Sequence, residues 1–374
     1  MKTEKPIFQI FAGATWGGGE QFVADLSRRL TADGCKVVLI ARPGRVIRER
    51  TADMPVPFYR LPLKGIPDLF SAVALARLML RHRPATVHVH HFKDAFTALY
   101  ARALVRVFGL RPRIVLTRHL VRRAKCNWLH RWLYRRLDRV AFVSERARQE
   151  FFSTGPAMDR ERTTVILNSS PERRMGDETP DLRKTCGLAP DVPLLLFCGR
   201  LVEEKGCDVL LRACARMGGG RGFALVFAGT TDNAEYLAKL RALAAKLPPE
   251  VRVEFIGFVP NAGALLAQAD ISVLPSVVPE AGGGLTLIES MQAGCAVIAS
   301  DNGSQPEYAV AGVTGLLVPP ADEAALAAAL ARLLDDKALR DAMGAAGRRH
   351  FEENLAYEYF YRKYLALYHD GQTA

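Results

Sequence analysis

The sequence predicts two doubly wound α/β domains of similar size, facing each other across a cleft. Three observations lead there. Short apolar strands alternate with amphipathic helices through residues 7–168, the alternation resumes at residue 194, and the stretch between is rich in proline, charge and small polar residues. A chain of 374 residues is too long for one ordinary core and suits two domains of about 150–200 residues each.

In the first half the expected strands are 7–13, 37–42, 86–91, 113–119, 139–144 and 163–168, with helical patterns at 20–32, 68–81 and 95–108. Apolar runs separated by helical periodicity suit a parallel sheet covered on both faces. The pattern stops at residue 169, and 171–193 reads as an interdomain linker holding one short helix. The second series places strands at 194–199, 224–229, 251–257, 271–275, 296–300 and 315–318, and helices at 207–216, 234–246, 285–293 and 323–335. The expected domains are therefore 1–170 and 194–353, followed by a closing helix over 354–374. The aromatics of that tail (Tyr357, Tyr359, Phe360, Tyr361, Tyr364 and Tyr368) predict packing on a neighbouring domain.

Composition narrows the class. With 49% hydrophobic and 24% charged residues, disorder is not expected as the main state. The apolar run at residues 7–14 is too short for a secretion signal, and no segment reaches the roughly 18 apolar residues of a membrane span. A cytoplasmic location follows as the expectation. Seven cysteines without a C-x-x-C pair read as reduced and structural, with no zinc site. The net charge of +12 is divided unevenly. Residues 1–170 hold 31 Lys and Arg against 13 Asp and Glu, a net of +18, whereas the remainder holds 20 against 26. That asymmetry points to an anionic partner for the first domain: nucleic acid, an anionic membrane surface or a phosphorylated glycan.

The densest positive charge is the run Arg122, Arg123, Lys125, Arg131, Arg135, Arg136 and Arg139, interleaved with Trp128, Leu129, Trp132, Leu133 and Leu137. Two readings stand. A helix of this kind can lie on an anionic membrane with tryptophan at headgroup depth, or it can be a surface helix whose apolar side packs on its own domain. No nucleic-acid reader motif accompanies it, so nucleic acid is not expected as a partner.

Several motifs carry chemistry. In GRLVEEKG a strand ends at Gly199, and Arg200 and Lys205 follow at R-x4-K spacing, with Lys205 at the start of the next helix. Two cations beside a helix N-terminus suit a diphosphate; the alternative is two solvated charges pairing with Glu203 and Glu204. Farther on, Gly282, Gly283 and Gly284 precede a helix beginning at Leu285, where glycines let backbone N–H groups approach phosphate or sugar oxygens. Glu289, one turn into that helix, can accept both hydroxyls of a ribose; the alternative is an ordinary helix glutamate behind a flexible loop, which the apolar surroundings of Glu289 weaken. Trp16-Gly17-Gly18-Gly19 lies between the first strand and first helix. It is not G-x-G-x-x-G, which disfavours a nicotinamide cofactor, and Glu20 beside it can cap the helix. His88 and His90 share one strand face, as a metal pair would, but no carboxylate or cysteine joins them or His91 at ligand spacing, so no metal is expected. His119 ends the strand RIVLTRH.

The ordered set WGGGEQFVADLSRRL, TVHVHH, RIVLTRHL, RVAFVSERARQEF, TVILNSSP, GRLVEEKG, PEAGGGLTLIESMQAGCAVIASD and PEYAVAGVTGLLVPPAD resembles the retaining glycosyltransferases of family 4. These have the GT-B fold of two facing Rossmann-like domains, and the resemblance covers nearly the whole chain. It implies that Arg200 and Lys205 bind the donor diphosphate and stabilise the departing nucleotide. The amides around Gly282, Gly283, Gly284 and Leu285 would assist them, and Glu289 would hold the ribose. Gly17, Gly18 and Gly19 would lie against donor phosphates or acceptor, and His119 near the donor sugar. The family's first glutamate normally stands at E-x7-E spacing, a position held here by Ala281. Either the glycine loop bulges by one residue so that Glu280 still reaches the sugar, or that contact is lost. The family's paired glycines before Pro306-Glu307 are also altered, to Asn302-Gly303-Ser304-Gln305.

The implied activity is transfer of a sugar with retention, from a UDP- or GDP-sugar to a hydroxyl of a glycan acceptor such as lipopolysaccharide core or a lipid-linked oligosaccharide. The expected catalytic residues are His119, Arg200, Lys205 and Glu280. No cofactor and no metal are expected, the nucleotide sugar being a substrate, and the inner face of the cytoplasmic membrane is a possible docking surface. The rival readings are a UDP-sugar 2-epimerase of the same fold and a non-catalytic nucleotide-sugar-binding protein.

Overall fold

A computed structural model of the chain describes residues 5–13, 16–172 and 179–369. The chain forms two compact units, one of Met1–Asn168 with Glu358–Ala374, the other of Ser169–Tyr357.

The first unit is built on seven strands: β1 (Ile7–Phe11), β2 (Val37–Ala41), β3 (Phe58–Arg60), β4 (Thr86–Val89), β5 (Arg113–Arg118), β6 (Arg139–Phe142) and β7 (Thr163–Val165). They lie in the order β3-β2-β1-β4-β5-β6-β7, and every pairing is parallel. The chain winds outward from β1 to β3, then returns to β4 and winds the other way. The carboxyl ends of β1 and β4 therefore flank the switch point at which open α/β sheets bind ligands. Alternate strand residues such as Phe8, Ile10, Val87 and Val89 join Leu75, Met79, Phe96 and Leu99 in one buried cluster.

Caps explain several helix starts. Asp68 accepts from Ser71 N at 2.9 Å ahead of helix Leu69–His82, and Ser144 accepts from Ala147 N ahead of Glu145–Phe152. The helix expected at 95–108 runs from Phe92–Val105, and its last residues form a 3-10 turn, Arg106–Phe108.

The closing helix, Tyr357–His369, belongs to the first unit from Glu358 onward. Phe360, Tyr361, Tyr364, Leu367 and Tyr368 are all buried, a stripe at three- and four-residue spacing that makes one face of a helix. Arg29 joins it to the first helix, pairing with Glu358 at 2.9 Å and lying 4.5 Å over the Tyr361 ring.

The second unit has six strands: β8 (Leu194–Cys198), β9 (Phe223–Ala228), β10 (Val251–Gly257), β11 (Ile271–Leu274), β12 (Ala296–Ser300) and β13 (Leu316–Val318). Their order is β10-β9-β8-β11-β12-β13, again parallel, with the switch point between β8 and β11. Leu195, Phe197, Leu225 and Phe227 enter one buried cluster, whereas Leu194, Leu196, Ala224 and Val226 enter another. The two-residue period divides the sheet's faces between them.

Residues 179–193, read from sequence as linker, belong to this unit. Leu182 and Cys186 are fully buried in its second cluster, and Arg183 pairs with Asp270 at 3.0 Å. Residues 173–178 of that stretch lie outside the described residues, as do residues 370–374 of the expected closing helix. Helix Lys337–His350 runs on into a π-helical turn, Phe351–Leu355. All seven cysteines are free. Among the described residues no helix is long and apolar enough to cross a membrane.

Candidate functional site

In the second unit the segments leaving β8 and β11 are stitched together at the switch point. After Gly199 and Arg200 the chain makes a 3-10 turn, Glu203–Lys205, which ends at Gly206 with φ 70°. A Cβ on Gly206 would lie 2.1 Å from the Pro275 carbonyl oxygen, so only glycine lets the two segments approach this closely. Val277 N donates to Glu204 O at 2.9 Å across the same contact. Lys205 therefore precedes the helix Cys207–Arg216 instead of opening it, because Gly206 turns left-handed between them.

Neither Glu203 nor Glu204 takes the lysine. Lys205 Nζ forms an ion pair with the Glu280 carboxylate, which also accepts from Ser276 Oγ at 2.7 Å. The Glu280 backbone is clamped as well: its carbonyl accepts from Ser304 N and Ser304 Oγ, both at 2.8 Å. Ser304 Oγ in turn accepts from Gly283 N at 2.9 Å. The altered run before Pro306 thus supplies the hydroxyl that holds the glycine turn. Gly283 and Gly284 have φ of 70° and 80° and lead into helix Leu285–Ala293. Thr286 Oγ1 donates to Cys198 O at 3.1 Å, tying the first turn of that helix to the end of β8.

Glu289 is 3% exposed, and its Oε1 accepts from Ser170 Oγ at 3.0 Å. Lys205, Glu280, Gly283 and Glu289 are thus gathered on the segments that follow β8 and β11, while Arg200, on the same loop, is exposed.

In the first unit Gly17 is the N-cap of helix Gly18–Ala32, with Gly18 and Gly19 in its first turn. Glu20 caps this helix, its Oε2 accepting from Gly17 N at 3.1 Å, and its Oε1 lies 3.6 Å from His91 Nε2. Burial alone would raise the Glu20 carboxyl, but the bonds to His91 and to backbone hold it below the usual carboxylate range. Burial likewise opposes charge on His91, yet Glu20 and Asp94 raise its pKa.

The other histidines take the opposite state. Burial pushes His119, which follows β5, down to about 4, and holds His88 and His90 well below the usual histidine value. His119 Nε2 lies 3.3 Å from His90 Nδ1, and His90 Nε2 lies 2.8 Å from Gln9 Oε1. His88 does lie beside His90, with ring centroids 4.0 Å apart, but its nitrogens meet Tyr368 OH and Thr117 Oγ1, both at 2.7 Å. Among the described residues no group of three or more His, Cys, Asp or Glu is arranged to hold a metal ion. Gln9 and Thr117 escaped the sequence reading, and Tyr364 and Tyr368 were read only as packing aromatics, not as hydrogen-bond partners. A glutamine inside the apolar run IFQIF was the available signal, because a buried amide must find partners.

Only Trp128–Arg136 of the basic run folds as a helix, capped by Asn127; Arg122, Arg123 and Lys125 lie in the loop before it, and Arg139 opens β6. The inner side of the helix buries His130, Leu133 and Tyr134, and Trp132 stacks parallel to Phe96 with Arg136 4.7 Å above it. The outer side keeps Arg131, Arg135 and Arg136 exposed, and Trp128 is 78% exposed.

The comparisons with known proteins follow the same division. The family model Glycosyltransferase Family 4 matches residues 16–169, and Glycosyl transferases group 1 matches residues 178–350. The chain belongs to the family 4 type of glycosyltransferase, with the GT-B fold. It is 29% identical over 345 residues to the alpha-D-kanosaminyltransferase of Streptomyces kanamyceticus, covering 84% of this chain and 87% of that protein. It is 31% identical over 231 residues to the lipopolysaccharide core biosynthesis mannosyltransferase LpcC of Rhizobium leguminosarum bv. viciae, covering 61% and 63%. Its fold is similar to that of Anabaena HepE, solved with UDP and glucose, at a TM-score of 0.79, 18% identity and coverage of 96% and 98%.

Proposed function

We propose that the chain transfers a sugar, with retention, from a UDP- or GDP-sugar to a hydroxyl of a lipid-linked or lipopolysaccharide-core glycan. The observation that carries this reading is the cluster after β8 and β11: a lysine paired to a carboxylate, a glycine turn opening a helix, and a buried glutamate one turn inside it. The donor diphosphate takes Lys205 from Glu280 and gains Arg200 as its second cation. The amides of Gly282, Gly284 and Leu285 donate to its oxygens while Gly283 N is held by Ser304, and Glu289 accepts the ribose hydroxyls. As the bond from C1 to the phosphate oxygen breaks, charge grows on the leaving diphosphate where these groups stabilise it most. The acceptor oxygen bonds to C1 on the face of departure, and its proton passes to the leaving phosphate oxygen. Glu280, freed of Lys205, faces the donor sugar. His119 and the amides of Gly17, Gly18 and Gly19 serve the sugar and the phosphates or acceptor from the first unit. HepE, solved with UDP and glucose, supports a nucleotide-sugar donor, and the Rhizobium relative supports a lipopolysaccharide-type acceptor.

A panel of UDP- and GDP-sugars, scored by nucleotide release with and without deacylated lipopolysaccharide core, tests this. Acceptor-dependent release with one donor is the expected result; an epimerised donor, or binding without release, would refute it. Cationic side chains and amides take the place of a divalent ion here, so release should survive excess EDTA. Loss of activity restored by magnesium or manganese would contradict that part.

The exposed arginines of helix Trp128–Arg136 suit an anionic membrane at the inner face of the cytoplasmic membrane. Such contacts are screened beyond about 8 Å at physiological ionic strength. Replacing Arg131, Arg135 and Arg136 by Gln together should reduce binding to acidic vesicles severalfold and leave turnover on a short soluble acceptor unchanged. Vesicle binding equal to wild type removes this helix as the anchor. Loss of turnover on the soluble acceptor moves the arginines to the acceptor site.

A further inference from the structure

Behind His119 the first unit contains a hydrogen-bond chain whose other members the proposed chemistry does not use. It runs from His119 Nε2 to His90 Nδ1 at 3.3 Å, and from His90 Nε2 to Gln9 Oε1 at 2.8 Å. Gln9 Nε2 then meets Tyr368 OH at 3.0 Å, and Tyr368 OH meets His88 Nδ1 at 2.7 Å. His88 Nε2 meets Thr117 Oγ1 at 2.7 Å, and Thr117 Oγ1 meets Tyr364 OH at 3.1 Å. Gln9, His88 and Thr117 are 0% exposed, as are Tyr364 and Tyr368, and His90 is 5% exposed. Water therefore does not substitute for a missing partner along most of its length.

Every proton in this chain is assigned once one group is fixed. An amide oxygen only accepts and an amide nitrogen only donates. With the Gln9 amide oriented as it is, Nε2 towards Tyr368 and Oε1 towards His90, the proton of His90 is required on Nε2. Burial keeps His90 neutral, which leaves its Nδ1 bare, so His119 must donate from Nε2. On the other side Gln9 Nε2 donates to the Tyr368 hydroxyl, Tyr368 donates to His88 Nδ1, and His88 donates from Nε2 to Thr117. No donor meets a donor anywhere along the line.

We propose that Gln9 and Tyr368 are positioning residues that set the tautomer of His119, holding its proton on Nε2 and leaving Nδ1 as a bare acceptor. The helix Tyr357–His369 thereby fixes the chemical form of a ring at the carboxyl edge of β5. The inference rests on the proposed place of His119 near the donor sugar only for its consequence in turnover; the tautomer itself follows from the orientation of the Gln9 amide between His90 and Tyr368. A neutral imidazole with a bare Nδ1 can accept a sugar hydroxyl, and the opposite tautomer presents an N–H there.

Long-range 1H–15N correlation spectra of the full chain, labelled at its eight histidines, read the tautomer directly. His119 is identified as the signal lost in His119→Gln. In the wild type it should appear as a single tautomer protonated on Nε2, and a signal protonated on Nδ1, or averaged between the two, overturns the proposal without any variant. Tyr368→Phe and Gln9→Met break the chain at separate points. Each should give a mixed His119 tautomer and a kcat about tenfold lower, with the donor KM within twofold of wild type. An unchanged tautomer in either folded variant overturns the proposal, and so does a donor KM that rises while kcat holds. Wild-type turnover in His119→Gln would sink the catalytic placement of that ring, while the tautomer result would stand or fall separately.

Discussion

Lys205→Ala should lower kcat by at least about a hundredfold, with thermal stability close to wild type. Removing one preorganised charge or donor from a developing anion costs roughly two to three orders of magnitude. The fold loses little, because an ion pair near the surface contributes about 0–1 kcal/mol, and the Lys205 and Glu280 side chains are 28% and 17% exposed. Glu280 also keeps Ser276 as a partner. Arg200→Ala should behave alike, since Arg200 is exposed and its proposed work begins when the diphosphate arrives. Steady-state kinetics with a saturating donor, beside a melting curve, check both variants. Wild-type turnover in either would remove it from the proposed phosphate site.

The second large effect is expected at Gly283. Its φ of 70° costs a residue with a side chain roughly 1–2 kcal/mol, and a Cβ would come within 2.5 to 2.9 Å of three atoms of the Tyr308 ring. Forcing that methyl in adds about 1–3 kcal/mol, typical of overpacking. Gly283→Ala should therefore melt several degrees lower and bind the donor at least about tenfold more weakly, because Gly283 N is the donor that ties the turn to Ser304. Gly312→Ala is the control. Its φ of 75° is similar, but nothing lies within 4 Å of its Cβ, so it should show only the backbone cost and normal donor binding. Equal melting losses in the two variants would mean that the Tyr308 contact does not shape the loop.

Much of the fold was legible because its signals are local. Apolar runs alternating with helical patterns matched twelve of the thirteen strands among the described residues, and the missing one, β3, has three residues that are half-buried or exposed and carries no alternation to read. Helix Lys337–His350 was missed because its sequence, KALRDAMGAAGRRH, is mostly small and polar, so its apolar stripe is faint. The tail was recognisable as a helix, but the unit it completes was not, since burial of Tyr364 and Tyr368 depends on strands some 280 residues earlier in the chain. The candidate site divides in the same way. Arg200, Lys205 and the three glycines stood out by spacing and type. The pairing of Lys205 with Glu280, separated by 75 positions, left no trace in the local sequence. Nor did the chain from His119 to Tyr368, whose members are spread over three strands or their ends and one helix.

The most direct test of transfer with retention is the anomeric configuration of the first product. The sugar nucleotide that passes the donor panel, 13C-labelled at C1, is incubated with acceptor, and the one-bond carbon–hydrogen coupling at C1 is read during the earliest turnovers. An α-linked donor should give an α-linked glycoside, with one nucleoside diphosphate released per bond formed. A β-linked product, or labelled sugar recovered only as a C2 epimer, would contradict the account.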